Sequence, residues 1–439
     1  MKFYDRQNEI AELRRIRELS RTSSRFTVVT GRRRVGKTEV LRQAFSDEPF
    51  LYFYVSRKAL PDLCEDFRQV SQRVLGRTVP GTINRFSQIF RFLMEESANR
   101  PLTLVIDEFQ DFTKVDESVF SELSRDWDEL NRAAKINLVV CGSINRLMSR
   151  IFEDREAPLY GRNTGRINVE PFKTSVLKGI LSEYNSRSDK DDLLALWTLT
   201  GGVARYVSLL MDSGACSRDA MLAETVRENS PFFDEGKIVL VEEFGKEHGT
   251  YFSILSAIAG GKTARDQIES VTGGAVGGYL TKLEREYGFV SKIQPVFEKS
   301  ERKNCLYAID DNFYRFWFRF IFKYNYLVEV KMFDELRGIV ERDYDVFSGK
   351  ALEGYFRRKF IEERKYSRIG GWWDRKGENE MDLVCENEFA NVLDFFEVKR
   401  DPSRIDIAAL QKKGEAFFAK NPQLAQRTVS FGGLSMLDM

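Results

Sequence analysis

Apolar and polar positions along the chain change their period several times. Residues 26–29 read FTVV, a continuous apolar run of strand length, and TEVLRQAF at 38–45 then repeats its apolar positions at helical spacing. Two further runs, LTLVI at 102–106 and INLVV at 136–140, predict buried strands of the kind found in parallel sheets covered on both faces. Residues 172–235 turn helical, with TSVLKGILSEYN and DDLLALWTLT. From Tyr251 the order is YFSILSAIAGG, KTARDQIESVTG and AVGGYLTKLEREYGF, three helices with a glycine-bearing turn. FVSKIQPVFEKSERKNCLYAI behind them predicts two strands with a charged tip. In FYRFWFRFIFKYNYL (313–327), the spacing of Phe313, Trp317 and Phe320 predicts a buried helix. The last hundred residues alternate again: helix FSGKALEGYFRRKF, strands in GWWDRKGENEMDLVCEN and VLDFFEVKR, helix IDIAALQKKGEAFFAK.

Chemistry enters where the first strand breaks. Residues 31–38 read GRRRVGKT, a full match to G-x-x-x-x-G-K-[ST], set between a strand and a helix as that motif requires. Gly31 and Gly36 let successive backbone N–H groups turn toward phosphate oxygens, Lys37 reaches the β and γ phosphates, and Thr38 offers its hydroxyl to Mg²⁺. The nucleotide-binding stretch is therefore Gly31, Arg32, Arg33, Arg34, Val35, Gly36, Lys37, Thr38 and Glu39. The three arginines occupy variable positions, where side chains point away while the backbone binds. LTLVIDEF then ends a strand in two carboxylates. Asp107 is the expected metal-side carboxylate, with Thr38 the second metal residue, and Glu108 is placed to polarise the attacking water. At the tip of the next strand, Ser143 is the candidate sensor of the γ-phosphate, with Asn145 second. The implied cofactors are ATP and Mg²⁺.

Composition narrows the partners. With 439 residues, 42% hydrophobic and 31% charged, the chain has the make-up of an ordinary globular protein of several domains. A net charge of +1 advertises no nucleic acid or membrane, so any such partner must meet a local patch. No apolar stretch reaches the ~18 residues that span a bilayer, and the charged N-terminus is unlike a signal peptide, so a cytoplasmic location without membrane contact is expected. The five cysteines show no CxxC pair, and the only histidine, His248, lies in the polar stretch FGKEHGTY. Zinc sites and Ser-His-Asp triads are thereby excluded as the main chemistry.

The order GRRRVGKT, LVIDEFQDF, VVCGSINRLM, PLYGRNTGRINVEPF and LTGGVARYV resembles the archaeal-type ATPases, close to the STAND and AAA+ P-loop proteins. The opening F-x-x-R-x-x-E of that family matches Phe3, Arg6 and Glu9, near its expected adenine pocket. The resemblance implies that Arg162, in YGR, reaches the γ-phosphate in cis or across a subunit contact, with Arg166 as the fallback. One departure stands out: Ala204 occupies the proline position of G-G-x-P in Gly201-Gly202-Val203-Ala204-Arg205. This puts conformational coupling there in doubt; Arg205 remains able to face a phosphate.

Helix, helix–turn–helix and hairpin in this order predict a winged helix, either a DNA reader or a protein-docking module. Its candidate recognition helix carries Tyr279, Lys282 and Arg285, diluted by Glu284 and Glu286; its wing carries Lys299, Arg302 and Lys303. In the tail, Glu353 lies on a helix, Asp382 starts a strand, and Glu397 and Lys399 share the face of another. E-M-D-L-V followed by F-F-E-V-K resembles the PD-(D/E)XK nuclease-like tail fused to archaeal-type ATPases. Asp382 and Glu397 would hold a divalent metal, Lys399 would orient the nucleophile, and Glu353 would support the shell. The repulsion between Asp382 and Glu397 itself calls for a cation.

The fold expected is thus α/β and multidomain: a P-loop NTPase of AAA+/STAND type (1–171), a helical lid (172–235), a winged helix (236–330) and a restriction-endonuclease-like tail (331–439). ATP hydrolysis coupled to DNA binding or cleavage is the leading function. A regulatory switch whose tail only docks a DNA or protein partner, a second copy included, is the alternative.

Overall fold

The computed structural model describes residues 1–439 apart from 144, 245–247, 299–304 and 375–376, and apart from the side chains of 145, 146, 238, 239, 242 and 243. Two compact units divide the chain: residues 5–171, and residues 1–4 together with 172–439.

The first unit is built on five strands: β1 (Arg25–Thr30), β2 (Leu51–Tyr54), β3 (Leu102–Asp107), β4 (Ile136–Gly142) and β5 (Gly165–Asn168). Their order is β2-β3-β4-β1-β5, and every pairing is parallel. The continuous apolar runs have their cause here, because both faces of the central strands are covered. Val28, Ile106 and Val140 pack into one layer; Val29, Val105 and Val139 pack into the other, with Val40 and Leu41 of the helix Lys37–Phe45. Parallel strands also place all their carboxyl ends on one edge. The segments that follow β1, β3 and β4 therefore meet there, from three distant parts of the sequence.

The main hydrophobic core of the second unit runs from Phe172 to Met439, through Phe232, Tyr251, Trp317, Leu352, Leu383 and Val398, and a smaller one gathers Trp372, Phe395 and Phe417. The boundaries expected at 235/236 and 330/331 fall inside this unit, and the helix Pro231–Phe244 crosses the first of them. The helix Ala204–Asp212 starts at Ala204 without the family's proline, after two left-handed glycines. Gly202 is the constrained one, since a Cβ there would lie 2.5 Å from the Phe172 carbonyl oxygen. Helices His248–Ala259, Arg265–Thr272 and Gly277–Lys282 precede a two-stranded antiparallel hairpin, β6 (Val290–Ile293) and β7 (Leu306–Ile309). The third of these helices widens to a π-turn over Leu283–Tyr287. Phe313, Trp317 and Phe320 are buried, as their spacing predicts.

In the tail, the long helix Phe333–Glu363 leads into β8 (Arg368–Trp373), β9 (Glu380–Asn387) and β10 (Val392–Val398). The helix Ile407–Lys420 then crosses over to β11 (Thr428–Leu434). The sheet order is β11-β10-β9-β8, with β10 and β11 parallel and the other pairs antiparallel. Between β8 and β9 the register shifts: Gly370 faces Val384, but Trp372 faces Met381. Two residues of β9, Asp382 and Leu383, thus oppose Gly371 alone. Such a bulge bends a strand and re-aims its side chains, and it falls on the residue singled out from the sequence.

Candidate functional site

Gly31 makes the closest approach in the phosphate-type loop. A Cβ there would stand 2.3 Å from the carbonyl oxygen of Val169, so no larger residue fits. Gly36 and Arg34 have positive φ of 99° and 70°, which turns the backbone between them. Val35 is buried as the loop's apolar anchor, while Arg34 and Glu39 are exposed. The Lys37 ammonium, itself buried, donates to the carbonyl oxygens of Gly31 (2.8 Å) and Arg32 (3.0 Å). It is held inside the loop by the loop's own backbone, and a phosphate oxygen would take over these bonds. Arg6 reaches the Val35 carbonyl at 3.4 Å and pairs with Glu9 at 3.4 Å, so two of the three opening family positions brace the loop. Phe3 belongs to the other unit.

Asp107 ends β3 facing this loop. Its Oδ2 accepts from the Thr38 hydroxyl at 3.1 Å and from the Tyr52 phenol; its Oδ1 accepts from the Glu108 N–H at 2.9 Å. A hydroxyl and a carboxylate converging on one point form the hard-oxygen donor set that suits Mg²⁺. Thr38 and Asp107 would hold the ion, which would neutralise charge developing on the phosphate. Glu108 sits in the left-handed region (φ 53°), which swings its side chain toward β4. Its Oε2 accepts from Ser143 (3.0 Å) and from Gln110 Nε2 (2.5 Å). The structure therefore brings Lys37, Thr38, Asp107, Glu108 and Ser143 together. The Asn145 side chain lies outside the described residues. Tyr52 and Gln110 were missed, because an aromatic hydroxyl in LYFY and an amide after a strand end carry no motif.

Arg162 requires a correction. β5 runs parallel to β1 with Gly165 opposite Thr27, and Thr164 exchanges bonds with Phe26 at the start of β1. Arg162 precedes this point, so it lies at the amino edge of the sheet, whereas the phosphate loop leaves the carboxyl edge. About 3.3 Å per residue separates Phe26 from Gly31 by ~16 Å. Its guanidinium is a fork on Asp128 (2.7 Å from Nη2, 3.1 Å from Nε) and also donates to the Pro158 carbonyl. Contact with a γ-phosphate in cis is ruled out by this register; contact across subunits is the part of the expectation that survives. Arg166 lies within β5 opposite Val28 and pairs with Glu153. Arg205 pairs with Glu235 at 3.3 Å.

In the second unit, the bulge lets Asp382 Oδ2 accept the Val398 N–H at 2.8 Å, where the β9–β10 ladder ends. Lys399 Nζ lies 3.3 Å from Asp382 and 3.3 Å from Glu397, and the other oxygen of Glu397 accepts the Asp406 N–H at 2.7 Å. Burial works against the Lys399 ammonium, but the two carboxylates outweigh it and raise its pKa. The repulsion expected to call for a metal is thus already relieved by Lys399. Among the described residues, no three His, Cys, Asp or Glu side chains gather as a metal cluster. Glu353 faces the same group from its helix, pairing with Lys350 at 2.6 Å. Burial first, then the charges of Asp382 and Glu380 against that of Lys350, push its carboxyl up to about 7. Lys350 is the cation that sequence reading missed.

On the helix–turn–helix segment, Tyr279 turns inward onto Tyr251 (5.3 Å, edge to face), while Lys282 and Arg285 are exposed. Tyr279 is half-buried in that contact. The wing cations Lys299, Arg302 and Lys303 lie outside the described residues. Among the described residues no helix is long and apolar enough to cross a membrane.

Residues 3–210 match the family of ATPase domains found predominantly in Archaea. Residues 317–408 match a family of archaeal and bacterial proteins of unknown function. An uncharacterised protein of Methanocaldococcus jannaschii is 28% identical over 407 residues, covering 90% of this chain and 87% of its own. Among solved structures, the Walker-type ATPase of Pyrococcus abyssi aligns with a TM-score of 0.54 at 19% identity, covering 72% of this chain and 96% of that one. The Aeropyrum pernix ORC2 protein aligns at 0.44 and 15% identity, over 78% of this chain and 96% of its own. The loop and its metal-side carboxylate both lie within residues 3–210, the part of the chain that is similar to the archaeal-type ATPase domains.

Proposed function

We propose that the chain binds and hydrolyses ATP and couples its nucleotide state to nucleic-acid binding or cleavage by the C-terminal tail. The observation that carries the second half is the bulge at Asp382. It gathers Asp382, Glu397 and Lys399 into one hydrogen-bonded group, with Glu353 facing it from the preceding helix. Helix, three antiparallel strands, crossover helix and a parallel fourth strand form a PD-(D/E)XK-type core. The three helices before β6 and β7 are, in this proposal, a winged helix that brings DNA to it. Asp382 and Glu397 would bind Mg²⁺ once Lys399 swings toward a phosphate, and the ion would activate water for attack on the phosphodiester.

Labelled single- and double-stranded DNA, incubated with Mg²⁺ or Mn²⁺ with and without ATP, tests this directly. Cleavage should vanish in Asp382→Ala while ATPase activity persists. A second reading rests on Lys399, which already satisfies both acids: the tail is then a docking module, and the ATPase a regulatory switch. DNA bound but never cut, under every metal and nucleotide condition, would select that reading.

A further inference from the structure

The Asp107 carboxylate has a third partner that neither the loop motif nor the strand-end acids account for. Tyr52 lies on β2, beside β3, with its ring opposite Val105 in register. Its phenol donates to Oδ2, the same oxygen that accepts from Thr38. The ring is not free to leave. Phe50 meets it edge to face (6.5 Å, 83°), and Phe50 in turn packs on Phe45 at 5.9 Å, the last residue of the helix that the phosphate loop begins. An aromatic chain thus runs from the far end of that helix back to the metal-side acid.

Thr38 can ligate a metal through a lone pair and still donate its proton to Asp107, but its hydroxyl must then follow the ion. Tyr52 has no metal to ligate, and its phenol donates to Asp107. We propose that Tyr52 is a positioning residue for the metal–nucleotide complex. It fixes the orientation of Asp107 from a ring held by Phe50, whatever position the ion imposes on the Thr38 hydroxyl, so that the carboxylate meets the ion's water shell without searching. The inference rests on the ATPase reading and extends it to one side chain of β2.

Tyr52→Phe keeps the ring and its packing and removes only the donor. Binding of a fluorescent ATP analogue, titrated with Mg²⁺, reads the effect without turnover, and Mn²⁺ binding in the presence of the non-hydrolysable nucleotide reads it independently. Groups that orient a metal's ligands typically change metal affinity by ~10-fold or more when removed, so the variant should need about tenfold more Mg²⁺. Its nucleotide affinity in EDTA should equal that of the wild type, which also verifies that it folds. An unchanged Mg²⁺ requirement, or tighter metal binding in the variant, overturns the role of Tyr52 alone. Wild-type protein whose nucleotide binding ignores Mg²⁺ removes the ATPase reading along with it.

Discussion

Glu353 offers the most quantitative test of the tail, because its environment is described from every side. Its carboxylate is 18% exposed, pairs with Lys350 at 2.6 Å, and faces the charges of Asp382 and Glu380. Displacement from 4.5 to about 7, at ~1.4 kcal/mol per pH unit, sets a ceiling of ~3.5 kcal/mol. Water at the exposed fraction of the group reduces this to about 2 kcal/mol. A carboxyl raised in the folded state contributes fully below pH 4.5, where both states hold the proton, and that contribution is lost as pH rises through about 7. Glu353→Gln keeps the shape and stays neutral. In EDTA the variant and the wild type should therefore melt together near pH 4.5, and the variant should be the more stable above pH 7. For a unit of this size ~2 kcal/mol corresponds to roughly 4–8 °C in Tm. Thermal or urea unfolding from pH 4.5 to 8.5 measures the difference. Adding Mg²⁺ together with a DNA oligonucleotide at pH 8 should restore the wild type toward the variant if the tail holds a metal, since a cation offsets the charge of the acids. Parallel pH curves, or a variant less stable at pH 8, would refute the description of Glu353 as a carboxyl held protonated by burial.

Lys37→Ala should abolish ATP binding, because the cation now held by the Gly31 and Arg32 carbonyls is what meets the phosphates; a calorimetric titration with wild-type affinity would contradict this. Glu108→Gln should bind ATP normally but turn it over at least ~100-fold more slowly, as loss of a general base typically does, read by phosphate release. Arg162→Ala should leave the turnover of monomeric protein unchanged, given its place at the amino edge beside Asp128. A loss of ~10³-fold that mixing with Glu108→Gln partly rescues would instead show it acting across subunits.

What could be read along the sequence, and what could not, divides by the range of the interactions involved. The runs at 26–29, 102–106 and 136–140 were legible as strands because a strand covered on both faces has no polar side to interrupt it. The loop between Gly31 and Thr38 was legible because its demands are local: a Cβ at Gly31 would strike Val169, and Gly36 needs a positive φ. Arg162 was not legible, since its distance from the phosphate loop depends on which residue of β5 faces Thr27, a register set by pairing across 138 residues. The boundaries expected at 235/236 and 330/331 lie inside one unit for a related reason, whereas the units divide at 171/172: helical segments that look separable share one core once Phe232, Trp317 and Leu352 meet.

The acids of the tail combine both cases. Their order along the chain was visible, and so was the shared face of Glu397 and Lys399. Their charge balance was not, because it hangs on one extra residue of β9 that turns Asp382 toward the end of β10. Without the bulge, Asp382 would follow the strict alternation of β9 and Lys399 would have one carboxylate to neutralise. With it, the lysine holds two and the pair of acids is stable with no ion present. Under the cleavage proposal the tail would gain its metal only when a phosphate competes for Lys399, so substrate and ion should bind together. Mg²⁺ alone should then leave the melting of Glu397→Gln and wild-type protein equally unaffected, while Mg²⁺ with a DNA oligonucleotide should raise only the wild type. A tail that binds Mg²⁺ equally well without DNA would break this coupling and with it the role given to Lys399.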